Sequence, residues 1–563
     1  MSGLDDDRRH QRFPVLTAHQ IEVTRRFASG KPRRFERGET MYALGEVAAP
    51  VWVVLEGWID VVSRDGLGHE CPIVRHDPGQ FSGEVSQLGG RASLAEGRAG
   101  EEGCTALPFD AAHLRALMVG SAEIGEIVMR AFILRRVGLI GSEHVGSILI
   151  GRTNARDLVR LQGFLTRNGY PVTTLDAEQD EEAKALIERL GVDSDDLPLM
   201  LCPSGTVLKR PTDAEAGACL GITPDLDPNR VYDVAVVGAG PSGLATAVYA
   251  ASEGLSVIVL DQRAIGGQAG ASSRIENYLG FPTGISGQAL AGRAFNQAQK
   301  FGAELAIPLR VGRIDCGGGV DKPFALHLAE GDPVRSRSVV VASGAQYRRP
   351  KIEELSGFEG NGVSYWASPI EGKLCAGEEV ALVGGGNSAG QAVVYLASQV
   401  KHLHLIIRRP NLDATMSRYL IDRIAALPNV TLHPRTEIVS LEGDRQGLSA
   451  ATFRAIDDGT TKRCEMRHLF LFVGADPHTD WLNGCVDLDD KGFVLTGGHC
   501  GDGGIRQLET RQSGVFAVGD VRSGSTKRVA AAVGEGAAVV AQIHDYLSGL
   551  EKSEDARRPQ AVA

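Results

Sequence analysis

The spacing of apolar and polar positions changes along the chain, and each change marks a different kind of element. In the first 145 residues, the stretch RGETMYALGEVAAPVWVVLEGWIDVVSRDG alternates short apolar runs with glycine-bearing turns, as an all-β barrel does. AAHLRALMVGSAEIGEIVMRAFILRRVGLI, which follows, has a helical period. Residues 146–225 read β-α-β-α-β-β: SILIG, ARDLVRLQGFLTRNGY, PVTTLD, EEAKALIERLGV and the hairpin LPLMLCPSGTVLKR. From VYDVAVVGAG to Leu550, strands and helices alternate as in parallel α/β layers. The last thirteen residues, 551–563, are charged and are expected to be disordered. The expected fold class is α/β, with two nucleotide-binding Rossmann-like domains preceded by a β-barrel and a small α/β domain.

The alternating region carries two fingerprints. The strand VYDVAVVG runs into GAGPSG, an alanine-rich helix and a second strand ending at Asp261. Gly238 permits the tight turn, Gly240 lets backbone approach a pyrophosphate, and Gly243 lets helix pack on strand. The helix amides then face the phosphates, and Asp261 accepts from a ribose hydroxyl. The second fingerprint lies in EEVALVGGGNSAGQAVVYLASQVKHLHLIIRRP, where Gly384, Gly386 and Ala389 repeat the logic. The next strand ends on Arg408 and Arg409 rather than an acid. A guanidinium pair grips a 2′-phosphate, which favours NADPH over NADH. Two such sites in one module imply hydride transfer from a nicotinamide to a second redox cofactor.

The succession GAGPSG, GGQ, IENYLGFP, ASGAQYRRP, GGGNSA, FVGADPHT and GVFAVGDVR…KRVAAAVGEG resembles bacterial thioredoxin reductase over about Val231 to Leu550. The resemblance implies FAD on the first fingerprint, with Pro241, Ser242, Gln262 and Gly267 beside it. Gln268 and Asn277 would contact the flavin or its phosphates, and Gly519 and Asp520 the ribityl chain. It also implies that the helix opened by Arg528, Val529 and Ala530 points at the flavin's pyrimidine edge, where a helix N-terminus stabilises the anion of the reduced ring. NADPH would lie on the second fingerprint, with Asn387 and Ser388. Residues 226–345 and 473–550 would form the FAD domain, residues 346–472 an inserted NADPH domain, and the whole a homodimer.

One departure decides the chemistry. Where such reductases carry a CxxC, this sequence has Trp366, Ala367, Ser368 and Pro369. None of these forms a disulfide, so no catalytic side chain is assigned. Cys375 lies nearby and reads as a small buried hydrophobe. Residues 146–225, with Leu197-Pro198 opening the hairpin, resemble a thioredoxin or glutaredoxin fold, but the loop GRTNARDL holds no cysteine, and Cys202 and Cys219 lie elsewhere. This segment reads as a scaffold or docking platform. Three exits for electrons stay open: a ferredoxin- or flavodoxin-like protein; oxygen, a quinone or another small oxidant; or a thioredoxin-like partner's disulfide meeting the flavin directly. A second hypothesis is a redox or nucleotide sensor in which turnover is incidental.

Residues 1–145 resemble a cyclic-nucleotide-binding domain, with PGQFSGEVSQLGGRASL as its phosphate cassette. The resemblance would place Glu84 on a ribose hydroxyl and Arg91 on a cyclic phosphate. The interval between them is shorter than in typical cassettes, and no DNA-reading helix-turn-helix follows.

Composition narrows the partners. The net charge of -11 argues against nucleic-acid binding, and the apolar stretch Ala131–Ile150 is broken by Arg135 and Arg136, so no membrane span is expected. The N-terminus lacks the apolar core of a signal peptide, which suggests a cytoplasmic address. Nine cysteines without any CxxC exclude the common zinc spacings, and no metal is expected.

Overall fold

The computed structural model describes residues 9–64, 70–140, 146–153, 155–317, 322–444, 447–500 and 505–557. Near the N-terminus, strands Arg33–Phe35, Thr40–Tyr42, Val51–Arg64, Glu70–His76 and Glu96–Phe109 pair antiparallel in one sheet. The long strand Val51–Arg64 bends at Gly57 (φ 69°), where a Cβ would stand 2.0 Å from the Gly103 carbonyl oxygen. Alternate side chains then feed two cores, one under Phe35, Trp52 and Val54, the other under Val51, Val53 and Phe81. Helix Ala111–Gly120 and helix α1 (Ala122–Ile140) close the second core with Leu114, Leu117 and Phe132.

The next sheet places Val172–Asp176 and Ser147–Gly151 in parallel, with Leu199–Leu201 and Val207–Lys209 following antiparallel. Helix α2 (Arg156–Arg167) carries Leu158, Leu161, Phe164 and Leu165 on the face turned to this sheet and its arginines on the other. Leu197–Pro198 is cis. Cys202 and Cys219, 17 residues apart in sequence, are joined in a disulfide, as are Cys316 and Cys485, 169 residues apart.

The third sheet orders Glu304–Ala306, Val257–Leu260, Val231–Val237, Val334–Val341, Phe324–Leu328 and Val311–Asp315, with Val515–Ala517 beside Val334–Val341. Its central strands are apolar on both faces because both are covered. Helices α3 (Pro241–Ser252), α4 (Gly287–Lys300) and, from the far end of the chain, the long C-terminal helix cover one face; Trp481, Leu482 and Val486 cover the other. A fully parallel sheet of Val363–Ser364, His468–Leu471, Glu379–Val383, His402–Ile406 and Val430–His433 follows, packed against α5 (Asn387–Ala397). Two antiparallel crossing strands, Ala345–Tyr347 and Ala475–Pro477, join these two sheets.

The expected disorder of residues 551–563 needs correction: helix α6 (Val529–Arg557) continues through most of them, and residues 558–563 lie outside the described residues. No described helix is long and apolar enough to cross a membrane, and no described cluster of His, Cys, Asp or Glu could hold a metal ion.

Candidate functional site

The first fingerprint forms a phosphate cradle. Gly238 has φ 114°, and a Cβ there would stand 2.2 Å from the Ala342 carbonyl oxygen; at Gly243 it would stand 1.9 Å from that of Gly238. Strand and helix therefore meet at contact distance only because both residues are glycine. Gly240 meets nothing within 4 Å, so its backbone stays open to a phosphate. Asp261 holds the turn: its Oδ2 accepts from the Ala239 N–H at 2.8 Å, and its Oδ1 from the Arg263 and Ala264 amides at 2.8 and 3.2 Å. A carboxylate has about four lone-pair sites, so capacity for a ribose hydroxyl remains.

The other FAD-side positions gather on the same cavity. Pro241, Ser242, Gln262, Gly267, Gln268, Asn277, Asp520, Arg528, Val529 and Ala530 line it. Gln268 Nε2 donates to the Ala345 carbonyl oxygen, tying this loop to the crossing strands. Gly519 lies just behind: its N–H donates to Glu535 Oε2 at 2.7 Å, and Glu535 is paired with Arg522. Burial holds the Asp520 carboxyl above the usual range, opposed by Lys527. The free amides of α6's first turn open onto this space.

The second fingerprint is only partly on the cavity. Asn387 and Ser388 line it; Gly384, Gly386, Ala389, Arg408 and Arg409 do not. Gly384 (φ 150°) packs against the Phe472 carbonyl oxygen, while Gly386 meets nothing within 4 Å and is open to a phosphate. The Asn387 side-chain oxygen accepts from the Ser417 N–H at 2.7 Å, fixing the helix start. Arg408 and Arg409 are exposed at the end of strand His402–Ile406. The residues present fit two dinucleotides: each turn has an open glycine amide at a helix N-terminus.

Trp366–Pro369 forms a helix cap. Glu371, buried, accepts from Trp366 Nε1 at 2.9 Å and from the Ser368 N–H at 3.0 Å, and the Ser368 hydroxyl also donates to it. Pro369 takes the first helical position, where its missing N–H costs nothing. Cys375 is buried at the far end of this helix, and burial pushes its thiol up to about 11. Among the described residues no cysteine lines the cavity.

Sequence reasoning missed one wall. The cavity, about 2360 Å³, is bounded by α2 and the loop before it, including Arg152, Thr153, Arg156, Arg160 and Arg167. Arg167 Nη2 donates to the Gly267 carbonyl oxygen at 2.9 Å, Asn168 Nδ2 to that of Arg263 at 3.1 Å, and Gln288 Nε2 to that of Thr166 at 2.6 Å. Burial lowers the Arg167 guanidinium's pKa, partly countered by Asp261. The only available hint was the polar face of α2, which carries Arg156, Arg160 and Arg167 at helical spacing.

Arg91 does not line the void that Glu84 borders. Glu84 borders a small void of about 50 Å³, walled also by Tyr42, His76 and Arg135. Arg135, from α1, fills this space: its Nη1 donates to the Phe81 and Gly83 carbonyl oxygens at 2.9 and 2.8 Å. Arg91 instead faces the third sheet. Its Nη2 donates to the Leu305 carbonyl oxygen at 3.1 Å, and its guanidinium lies 5.0 Å from the centre of the Phe295 ring. In this structure Arg91, expected on a cyclic phosphate, is instead engaged by the Leu305 carbonyl and the Phe295 ring.

Residues 232–536, more than half of the chain, match the pyridine nucleotide-disulphide oxidoreductase family, and residues 32–120 match the cyclic nucleotide-binding domain. The chain belongs to the pyridine nucleotide-disulphide oxidoreductase family. It is similar to NADPH-dependent thioredoxin reductase 3 of Arabidopsis thaliana, 32% identical over 342 residues, spanning 59% of this chain and 61% of that one. It is likewise similar to thioredoxin reductase of Streptomyces clavuligerus, 30% identical over 330 residues, spanning 58% of this chain and 98% of the other. Among solved structures, the thioredoxin reductases of Lactococcus lactis and T. acidophilum each align with a TM-score of 0.52. Their identities are 25% and 28%, and each alignment covers 57% of this chain and 100% of theirs. FAD and NADPH are the cofactors of such thioredoxin reductase-like proteins.

Proposed function

We propose that this chain is an NADPH-dependent FAD oxidoreductase whose electrons leave without passing through a dithiol of its own. One observation carries the reading: residues of both fingerprints, Gly238 and Gly240 of the first and Asn387 and Ser388 of the second, line one cavity, and no cysteine is among its described lining residues. The four paired cysteines lie elsewhere, Cys202 with Cys219 and Cys316 with Cys485. A bound FAD would supply the two-electron chemistry that links NADPH to the acceptor. The chain's residues supply position: glycine turns hold diphosphates, Asp261 a ribose, and the N-terminus of α6 a developing negative charge.

In this reading Arg408 and Arg409 select the 2′-phosphate, and their exposure leaves them free to meet it. The purified protein is yellow and bleaches anaerobically faster with NADPH than with NADH. Arg408→Ala with Arg409→Ala removes that preference, a loss of at least tenfold; equal rates in the unaltered protein contradict the assignment.

Residues 146–225 take a thioredoxin-like fold that serves as a wall rather than a redox centre, and the reductase module pairs as a homodimer, as the resemblance implies. A regulatory role for the N-terminal domain is favoured by the Arg91 contact with Leu305, which ties its cassette to the FAD side. A cyclic nucleotide entering there must first move Arg135, because the void beside Glu84 is far below the roughly 300 Å³ of ordinary ligand pockets. Thermal shift with cyclic AMP and cyclic GMP reads this directly, and no shift at saturating ligand retires nucleotide binding.

A further inference from the structure

The cavity extends beyond both fingerprints. Ligand pockets run to roughly 300–1,000 Å³ each, and this one is about 2360 Å³. Its surplus wall belongs to neither fingerprint. On one side stand Arg152 and Arg156, at the start of α2; on the other stand Arg349, Tyr347 and Tyr365, beside the crossing strands. The rings of Tyr347 and Tyr365 lie 6.3 Å apart and nearly parallel, at 20°. Arg152 is committed to Glu178 at 2.8 Å and Arg349 to Glu359 at 2.8 Å. Arg156 has no ion pair among the described residues and is exposed at the cavity edge.

This wall also bars large partners. Arg167, Asn168 and Gln288 pin the end of α2 to the FAD side. At its other end Arg156 packs against Gly360, its Cγ 3.1 Å from where a Cβ would stand. A folded redox protein reaching the flavin from this side has to lift the helix off; a small molecule does not.

We propose that the space between Arg156 and the Tyr347–Tyr365 pair is the electron-acceptor site, and that it takes a small planar quinone bearing an anionic substituent. The inference rests on the NADPH-dependent flavoprotein reading above. The rings offer flat apolar contact and the free guanidinium meets the anion. The overall change balances: NADPH, one solvent proton and the quinone give NADP⁺ and the hydroquinone, two electrons leaving the nicotinamide and arriving at the two quinone carbonyls.

The test uses the full-length, FAD-loaded protein with 1,4-naphthoquinone-2-sulfonate and uncharged 1,4-naphthoquinone. Bleaching by NADPH is read first and tests the parent reading alone. Calorimetric titration of the oxidised protein with the sulfonate needs no reduction and tests the site alone. Arg156→Ala should weaken sulfonate binding and raise its KM about fivefold, leaving kcat and the KM for the uncharged quinone unchanged. An unchanged sulfonate affinity in Arg156→Ala overturns the proposal. Flavin reoxidation by oxidised thioredoxin faster than by either quinone overturns it as well, because it makes the acceptor a protein.

Discussion

At Gly243 a single missing methyl group sets the distance between a strand and a helix. The site of its Cβ is 1.9 Å from a backbone oxygen, and backbone cannot swing aside as a side chain can. Gly243→Ala is expected to cost about 1–3 kcal/mol of stability and to yield protein with little bound flavin, read from the visible-to-ultraviolet absorbance ratio. Full flavin content in that variant contradicts the cradle. Arg91 shows the same dependence on a neighbour. Burial draws its pKa down to about 10, and the Leu305 carbonyl and the Phe295 face compensate. Arg91→Ala is expected to lower the unfolding free energy by about 1–3 kcal/mol in denaturant titration. No change there means the contact does not hold the N-terminal domain in place.

Among the elements, the strand His402–Ile406 makes its sheet sensitive to acid. His404 Nδ1 lies 3.0 Å from His433 Nε2 on the adjacent strand. Burial first, then His433 and His402, draw its pKa down to about 4. The folded chain therefore keeps His404 neutral at a pH where the unfolded chain, with a pKa near 6.5, takes up a proton. The unfolded state binds more protons in that window, so this contribution is complete above about pH 6.5 and is lost as the pH falls toward 4. Urea midpoints measured between about pH 7 and about pH 5 should fall, and His404→Gln should flatten the slope. An unaltered slope contradicts the assignment. Elements were also where the sequence was most readable. Both glycine turns, the helices after them and the β-α-β-α-β-β order follow from periodicity and glycine placement, which are local properties. At the end of α6 a charged composition, which by itself suggests disorder, continues as helix to Arg557.

On the scale of the whole molecule, chain composition says little about which surfaces meet. The sequence marks Arg91 as a cation in a phosphate cassette, yet only the packed structure shows Leu305 and Phe295 claiming it. The local pattern of α2 marks a polar face with Arg156 and Arg167 but not that it borders a cavity built largely by residues a hundred or more positions later. The missing CxxC, by contrast, was plain from Trp366–Pro369, and the structure adds the reason those residues suit the position: they cap a short helix through Glu371. Electrons enter a cavity whose described lining includes neither the Cys202–Cys219 nor the Cys316–Cys485 disulfide. Anaerobic titration with NADPH, followed by flavin absorbance, measures this directly. Complete bleaching is expected at about one equivalent of NADPH per flavin, the two electrons a flavin alone can hold. Uptake of about two equivalents, with thiols appearing at Cys202 and Cys219 or at Cys316 and Cys485, would contradict it.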